Sequence, residues 1–388
     1  MSHRMMLAMN EEVALAQSLI RIFSPSGAES RATVLFVSAL KDLGFDEAYL
    51  DEAGNAVGIL RAGKGPSLMF NGHLDTVPLG DEDEWIHPPL SGIVSQGRLW
   101  GRGACDMKSA VACMAYAAID ARNRGFKGTL IVTGVVLEEV GGLGSYHAAE
   151  TLRPDLVILG EPSKLSLKLG HRGRVELHGV VPGRNAHAAR AELGLNAISR
   201  AADFLNKLEG LALPKGGPLQ RSSATPTRIV SFPDGSTNVV PGSVEITIDY
   251  RNIPGDEPED ILNRIGMLDD DIVWSIPVVE SVTENSKVRL RTSKTISPYL
   301  APGENIAVNR AREAIKVGMS SKNIEFKEGV WWFCTDAPQL SRFGAPVIGF
   351  GPGEEELAHT TKESISVEHL IIARQIYADL ACALLGAP

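Results

Sequence analysis

The spacing of apolar positions changes period several times along the chain, and each change marks an expected element. Asn10 is suited to cap a helix in which Val13, Ala16, Leu19 and Ile20 share one face, with Glu11 and Glu12 in the first turn. Ser24-Pro25-Ser26-Gly27 ends it, and a second amphipathic helix is expected over 29–43, closed by Gly44. Short strands are expected at 48–51 and 56–60. After a Gly/Lys/Pro turn at 63–66 comes the apolar run Leu68-Met69-Phe70. A helix over 108–124, a β-branched strand over 129–137 and a short buried strand over 156–159 continue the alternation. Strands alternating with helices predict an α/β fold, a mainly parallel sheet sandwiched by helices.

From about Arg172 the texture changes. Residues 174–181 alternate as a half-buried strand, 196–208 form an amphipathic helix, and 226–232 and 243–251 read as strands. A helix over 257–267 and a last strand over 287–292 complete a β-α-β-β-α-β order, the ferredoxin-like α+β sandwich. This predicts an inserted domain over 172–293, with 214–224 as a loop inside it. The first domain, 1–171, then resumes over 294–388 with a helix at 305–317, the apolar 331–334, a strand at 346–350 and a C-terminal helix from Val367.

A chain of 388 residues with 44% hydrophobic and 22% charged residues is long enough for two or three globular domains. The net charge of −9, without a Lys/Arg cluster, argues against a nucleic-acid partner. Glu11, Glu12 and Arg21 interrupt the apolar start, so neither a signal peptide nor a membrane span is expected. Cys105, Cys113, Cys334 and Cys382 form no CxxC pair, which suits a reducing, cytoplasmic location better than a disulfide framework.

The candidate chemistry sits where core elements end. His73 and Asp75 follow the apolar run and lie two apart, so one can bind a metal while the other orients it. Asp106 stands just before a helix, Glu138-Glu139 follow the β-branched strand, Glu161 follows 156–159, and His359 lies in a late polar loop. Singly, each has a plain structural explanation: a helix cap, a turn acid, a surface imidazole. Jointly, two imidazoles and three carboxylates are what a two-metal hydrolytic site needs, one carboxylate being shared. An additional acid beside the ligands is suited to accept a proton, a role open to one member of the Glu138-Glu139 pair. Gly351-Pro352-Gly353 lacks the Lys-Ser/Thr of a phosphate-binding loop and is set aside.

His73-Leu-Asp-Thr-Val-Pro78, Gly101-Arg-Gly-Ala-Cys-Asp106-Met-Lys, Glu138-Glu139-Val-Gly-Gly, Gly160-Glu161-Pro162-Ser and the late His359 occur in one order over nearly the whole chain. Together they resemble peptidase family M20, the co-catalytic zinc hydrolases that group acetylornithine deacetylase, succinyl-diaminopimelate desuccinylase, aminoacylase-1 and glutamate carboxypeptidase. The resemblance implies that His73, Asp106 and Glu161 hold one divalent ion, and that Asp106 is shared with a second held by Glu139 and His359. It implies zinc first, with cobalt or manganese acceptable to the same ligands. Asp75 would orient His73, and Glu138 would be the general base. The inserted domain would be the family's lid and homodimer interface. His187, in Gly183-Arg-Asn-Ala-His187, would reach a neighbouring active site and stabilise the oxyanion. Asn238 and Arg251 match positions that hold a substrate carboxylate, for which Arg offers a bidentate fork. Thr335 is retained from a Gly-Gly-Thr-Asp motif near the substrate, but Phe333 and Cys334 replace its glycines, so family substrate specificity does not carry over.

The expected activity is hydrolysis of the amide of an N-acyl amino acid or a small dipeptide-like molecule bearing a carboxylate. Its rivals are a dipeptidase or aminopeptidase acting on free amines, an aminohydrolase acting on a nonpeptide C–N bond, and a non-catalytic binding protein. The last would be favoured by loss of Glu138 or of two ligands, and all of these residues are present.

Overall fold

The middle strands of the first domain divide their side chains between two cores, as the two-residue period of a strand requires. In a computed structural model describing residues 11–283 and 287–386, Leu68, Phe70, Leu130, Val132, Leu156 and Ile158 face one side. Met69, Ile131, Val157 and Leu159 face the other. The first core is covered by helices Glu11–Ile20, Ser30–Asp42, Lys108–Arg124, Ile306–Ser320 and Val367–Leu385. Helices Leu143–Leu152 and Ala337–Ser341 cover the second. The expected cap Asn10 lies outside the described residues.

The main sheet has nine strands. Its four middle strands run parallel in the order Gly128–Val135, Ser67–His73, Leu156–Leu159, Val347–Gly349. Antiparallel strands flank them: Ala56–Ala62 and Glu47–Leu50 on one side, Leu167–His171 and Tyr299–Leu300 on the other. The α/β class therefore holds, with the parallel pairing concentrated where the site residues emerge. Because three middle strands end side by side, the residues that follow them gather at one edge, the usual place for ligands in such sheets.

The second sheet contains Ser223–Phe232, Ser243–Arg251, Arg174–Pro182 and Val273–Ser275 in that spatial order, all antiparallel. Helices Ala197–Glu209 and Pro258–Gly266 pack against it around a separate core that includes Phe204, Ile246 and Ile261. This is the split β-α-β order expected from the sequence. Its last strand differs: Val273–Ser275 takes the place expected for 287–292. The cause is local, since Trp274 lies over Gly179, where an added Cβ would meet the indole at 2.5 Å, and packs on Phe204. Leu290–Ser293 instead pairs with Val278–Ser281 as a separate two-stranded ribbon. Thr295–Ile296 then joins the edge of Arg174–Val175.

Candidate metal centre

Strand Ser67–His73 places His73 at its last residue, next to Val135 in the neighbouring strand. The His73 ring is buried, its Nδ1 2.9 Å from the Asp75 backbone carbonyl and 3.5 Å from that residue's carboxylate. This fixes the ring with Nε2 aimed at the cluster, where it lies 2.9 Å from Asp106 Oδ1 and 3.9 Å from Glu161 Oε1. The other oxygen of Asp106, Oδ2, lies 3.2 Å from His359 Nε2, and His359 Nε2 lies 3.0 Å from Glu139 Oε1. Asp106 thus turns one oxygen toward each imidazole. Glu138 joins the cluster: ligand-type atoms of His73, Glu138 and Glu161 lie within 4.8 Å of one another, as do those of His73, Asp106 and Glu139.

The electrostatics follow from crowding acids in a dry site. Burial alone would lower the pKa of His73, but the Asp106 and Asp75 carboxylates outweigh it and hold the ring well above its usual value. His359, hydrogen-bonded to Asp106 and Glu139, is pushed up to about 10. Burial would raise Asp106, yet the two imidazoles bring its carboxyl well below the usual range. Burial, then the charges of Asp336 and Glu161, push Glu138 well above an ordinary glutamate.

Glu161 is the most telling member. Its Oε1 is buried and finds no hydrogen-bond donor among the described residues, a costly state for an oxygen without a cation. Three carboxylates and two imidazoles converging around such an oxygen fit a pair of divalent ions.

The remaining expected residues divide. Asp75 is buried and accepts from Ser26 Oγ at 2.8 Å and from the backbone N–H groups of Glu138 and Glu139, both at 3.2 Å. It therefore shapes the acidic loop as well as His73. Thr335 is buried, its N–H donating to His171 Nε2 at 3.3 Å and its hydroxyl accepting from Ala337 N. Arg251 already spends its fork inside the chain, donating from Nε to Asp249 Oδ1 at 2.6 Å and from Nη2 to Oδ2 at 3.2 Å. Its Nη1 reaches Cys334 Sγ at 3.3 Å, which places it beside the segment that departs from the family motif. His187 and Asn238 are exposed on the second domain. Among the described residues no hydrogen bond or ion pair links either to the metal cluster; Ala188 N donates to Asn238 O, and His187 Nδ1 accepts from Ala189 N.

Three buried acids of this region escape the sequence reading. Asp336 packs against Gly142, whose positive φ and lack of Cβ both serve the approach, and burial pushes its carboxyl up to about 7. Its position after Thr335 and before a helix reads as an ordinary cap. Glu29 Oε1 accepts from Gly27 N at 2.8 Å and Leu137 N at 3.1 Å, tying two site loops together. Glu363 holds the Asp106 loop. Neither glutamate has a motif around it that marks burial.

A cavity of about 510 Å³ opens beside Glu139. Leu137, Val140, Val279 and Val282 supply apolar wall, and Arg174 and Lys294 supply cations. Arg174 pairs with Asp249 at 2.6 Å and Glu176 at 3.1 Å, and Lys294 pairs with Glu176 at 2.7 Å.

The chain is similar to known proteins over nearly its whole length. The model of a family described as Peptidase family M20/M25/M40 matches residues 69–383. A succinyl-diaminopimelate desuccinylase from Alkalilimnicola ehrlichii is 30% identical over 97% of this chain and 100% of its own length. An acetylornithine deacetylase from Myxococcus xanthus is 30% identical over 86% of this chain and 85% of its own. Among solved structures, the YXEP protein of Bacillus subtilis, described as a dinuclear metal-binding peptidase of the M20 family, superposes with a TM-score of 0.71. It is 14% identical and aligned over 99% of this chain and 100% of its own.

Proposed function

The chain belongs to peptidase family M20/M25/M40, and on that premise we propose that it cleaves the amide bond of an N-acyl amino acid or small dipeptide-like substrate at a dinuclear centre. The observation that carries this reading is the two-sided Asp106, 2.9 Å from His73 on one oxygen and 3.2 Å from His359 on the other. His73, Asp106 and Glu161 would hold one ion, and Asp106, Glu139 and His359 the second, zinc before cobalt or manganese. Bound there, such ions supply Lewis acidity toward the scissile carbonyl and make an attacking water more acidic.

The chain's own residues do the rest. Glu138 takes a proton from the attacking water and returns it to the leaving amine; its carboxylate lies within 4.8 Å of the ligand atoms of His73 and Glu161, in reach of that water. Asp75 fixes the His73 ring and the backbone that carries Glu138. Arg251, Asn238 and Thr335 would face the substrate. Arg174 and Lys294 in the cavity wall, with Arg251 sharing Asp249 with Arg174, support a substrate carrying a carboxylate.

His187 would stabilise the oxyanion of a partner's site in a homodimer built through the second domain. Its exposure and the open edge of strand Ser223–Phe232, with Ile229 half exposed, support that arrangement. The domain limits 172–293 and a cytoplasmic location belong to the same proposal. No helix among the described residues is long and apolar enough to cross a membrane, and all four cysteines are free.

The test is a hydrolysis screen of metal-reconstituted protein against N-acetyl and N-succinyl amino acids, free-amine dipeptides and nonpeptide amides, with ammonia measured. Turnover of the acylated substrates supports the reading. Turnover confined to free-amine substrates, or ammonia release, replaces it with a rival. Glu138→Gln should lower kcat by about 10²–10⁴-fold with metal content unchanged; wild-type turnover in that variant removes Glu138 as the base.

A further inference from the structure

Asp106 can turn one oxygen toward each histidine only if the loop that carries it is held in one place. That loop, Gly101–Asp106, has no regular secondary structure of its own. It is positioned by a small antiparallel sheet in which Ser364 pairs with Trp100, Ile365 with Leu99 and Ser366 with Arg98. Extending that register by one residue sets Glu363 opposite Gly101, and Gly101 N donates to Glu363 O at 3.2 Å.

The Glu363 side chain is fully buried. Its Oε1 accepts three backbone N–H groups of the loop: Gly103 at 2.9 Å, Cys105 at 3.0 Å and Asp106 itself at 3.1 Å. Its Oε2 accepts from Arg102 Nη1 at 2.5 Å. Arg102 is in turn buried and stacked 5.0 Å from the Trp85 ring. A single carboxylate oxygen thus gathers three backbone N–H groups of one short loop, and the other oxygen meets a guanidinium from the same loop. The three N–H groups depend on Oε1, and the loop has few other internal bonds to replace theirs. His359 lies four residues before Glu363, so one short segment supplies an imidazole to the cluster and the anchor for the acid facing it.

We infer that Glu363 is a positioning residue that seats Asp106 between His73 and His359, so that affinity for divalent ions depends on a carboxylate that touches none of them. This rests on the reading of Asp106 as the shared ligand. Partners that orient a ligand in this way govern metal affinity by about 10–100-fold.

The test is calorimetric titration of Zn²⁺ into metal-free wild type and Glu363→Gln, with the melting temperature of each metal-free protein measured in parallel. Wild type is expected to take up two ions per chain. Glu363→Gln is expected to bind at least one of them about 10–100-fold more weakly, with the weakening larger than any change in metal-free melting would explain. Wild-type affinity at both sites, or a lowered melting temperature with unchanged affinity, overturns the inference. If Glu363→Gln does not fold, Glu363→Asp decides: it keeps the carboxylate but withdraws its oxygen from the three N–H groups. Weaker zinc binding in that variant supports the inference, and wild-type affinity overturns it. A wild type that binds no zinc at all defeats the metal reading itself, an outcome distinct from these.

Discussion

Acid should weaken this protein through His171 before it reaches most carboxylates. The ring is fully buried. Nδ1 lies 2.8 Å from the Arg172 carbonyl and must carry the proton, while Nε2 accepts from Thr335 N–H at 3.3 Å and must not. A second ring proton would point at an N–H and add charge near Arg251. Burial first, then the Arg251 charge, lowers the pKa from 6.5 to about 4. The folded form therefore binds fewer protons than the unfolded one between those values. Stability from this group is fully present above pH 6.5 and is lost as pH falls toward 4. At about 1.4 kcal/mol per pKa unit the full loss is about 3 kcal/mol, of which about 2 kcal/mol falls between pH 7 and pH 5. Urea unfolding of metal-free protein at both pH values measures it. In His171→Asn, which retains a donor near Nδ1 but cannot titrate, the drop from pH 7 to pH 5 should be smaller by about 2 kcal/mol. Equal drops in the two proteins, or an NMR titration of His171 centred near 6.5, would refute the argument.

Other outcomes follow from packing and charge. Gly349→Ala should destabilise the fold by about 1–3 kcal/mol or more, because its Cβ would enter the Trp331 indole; a melting temperature equal to wild type contradicts this. Arg251→Lys should raise KM about 10-fold or more for carboxylate-bearing substrates, because a lysine cannot keep both Asp249 contacts and still present a further donor, with a smaller change in kcat. An effect on kcat alone would move Arg251 from substrate binding to another role. Chelation should lower the melting temperature of zinc-loaded protein, since a ligand present at 100 times its Kd adds about 2.7 kcal/mol per site. No change on chelation would separate metal from folded stability.

The candidate site was legible only jointly, through the ordered set of motifs at the ends of core elements, since each residue singly reads as a cap, a turn acid or a surface imidazole. Leu68–Phe70 and Leu156–Leu159 are buried on both faces, so the polar residues just beyond them had to lie at the sheet edge. What stayed hidden depends on distance in the chain. Glu363 lies 257 residues from the backbone N–H of Asp106 that it holds, and nothing local distinguishes it from a surface glutamate. Helix Leu143–Leu152 begins at a left-handed Gly142 without a side-chain cap, so the usual start signal is missing. Strand Leu167–His171 was masked by its two lysine- and glycine-bearing positions, and its pairing with Glu328–Trp331 is a tertiary fact. The 287–292 segment does alternate as a strand, but Val273–Ser275, only three residues long, fits the edge of the second sheet because Gly179 admits Trp274. Pattern identified the strand and packing chose its partner.

The claim beneath all of this is that Asp106 is shared between two ions. Crystals grown with zinc and measured at the zinc absorption edge test it most directly. Two anomalous peaks are expected, one bounded by His73, Asp106 and Glu161 and the other by Asp106, Glu139 and His359. A single peak, or peaks that leave either Asp106 oxygen unengaged, would contradict the account.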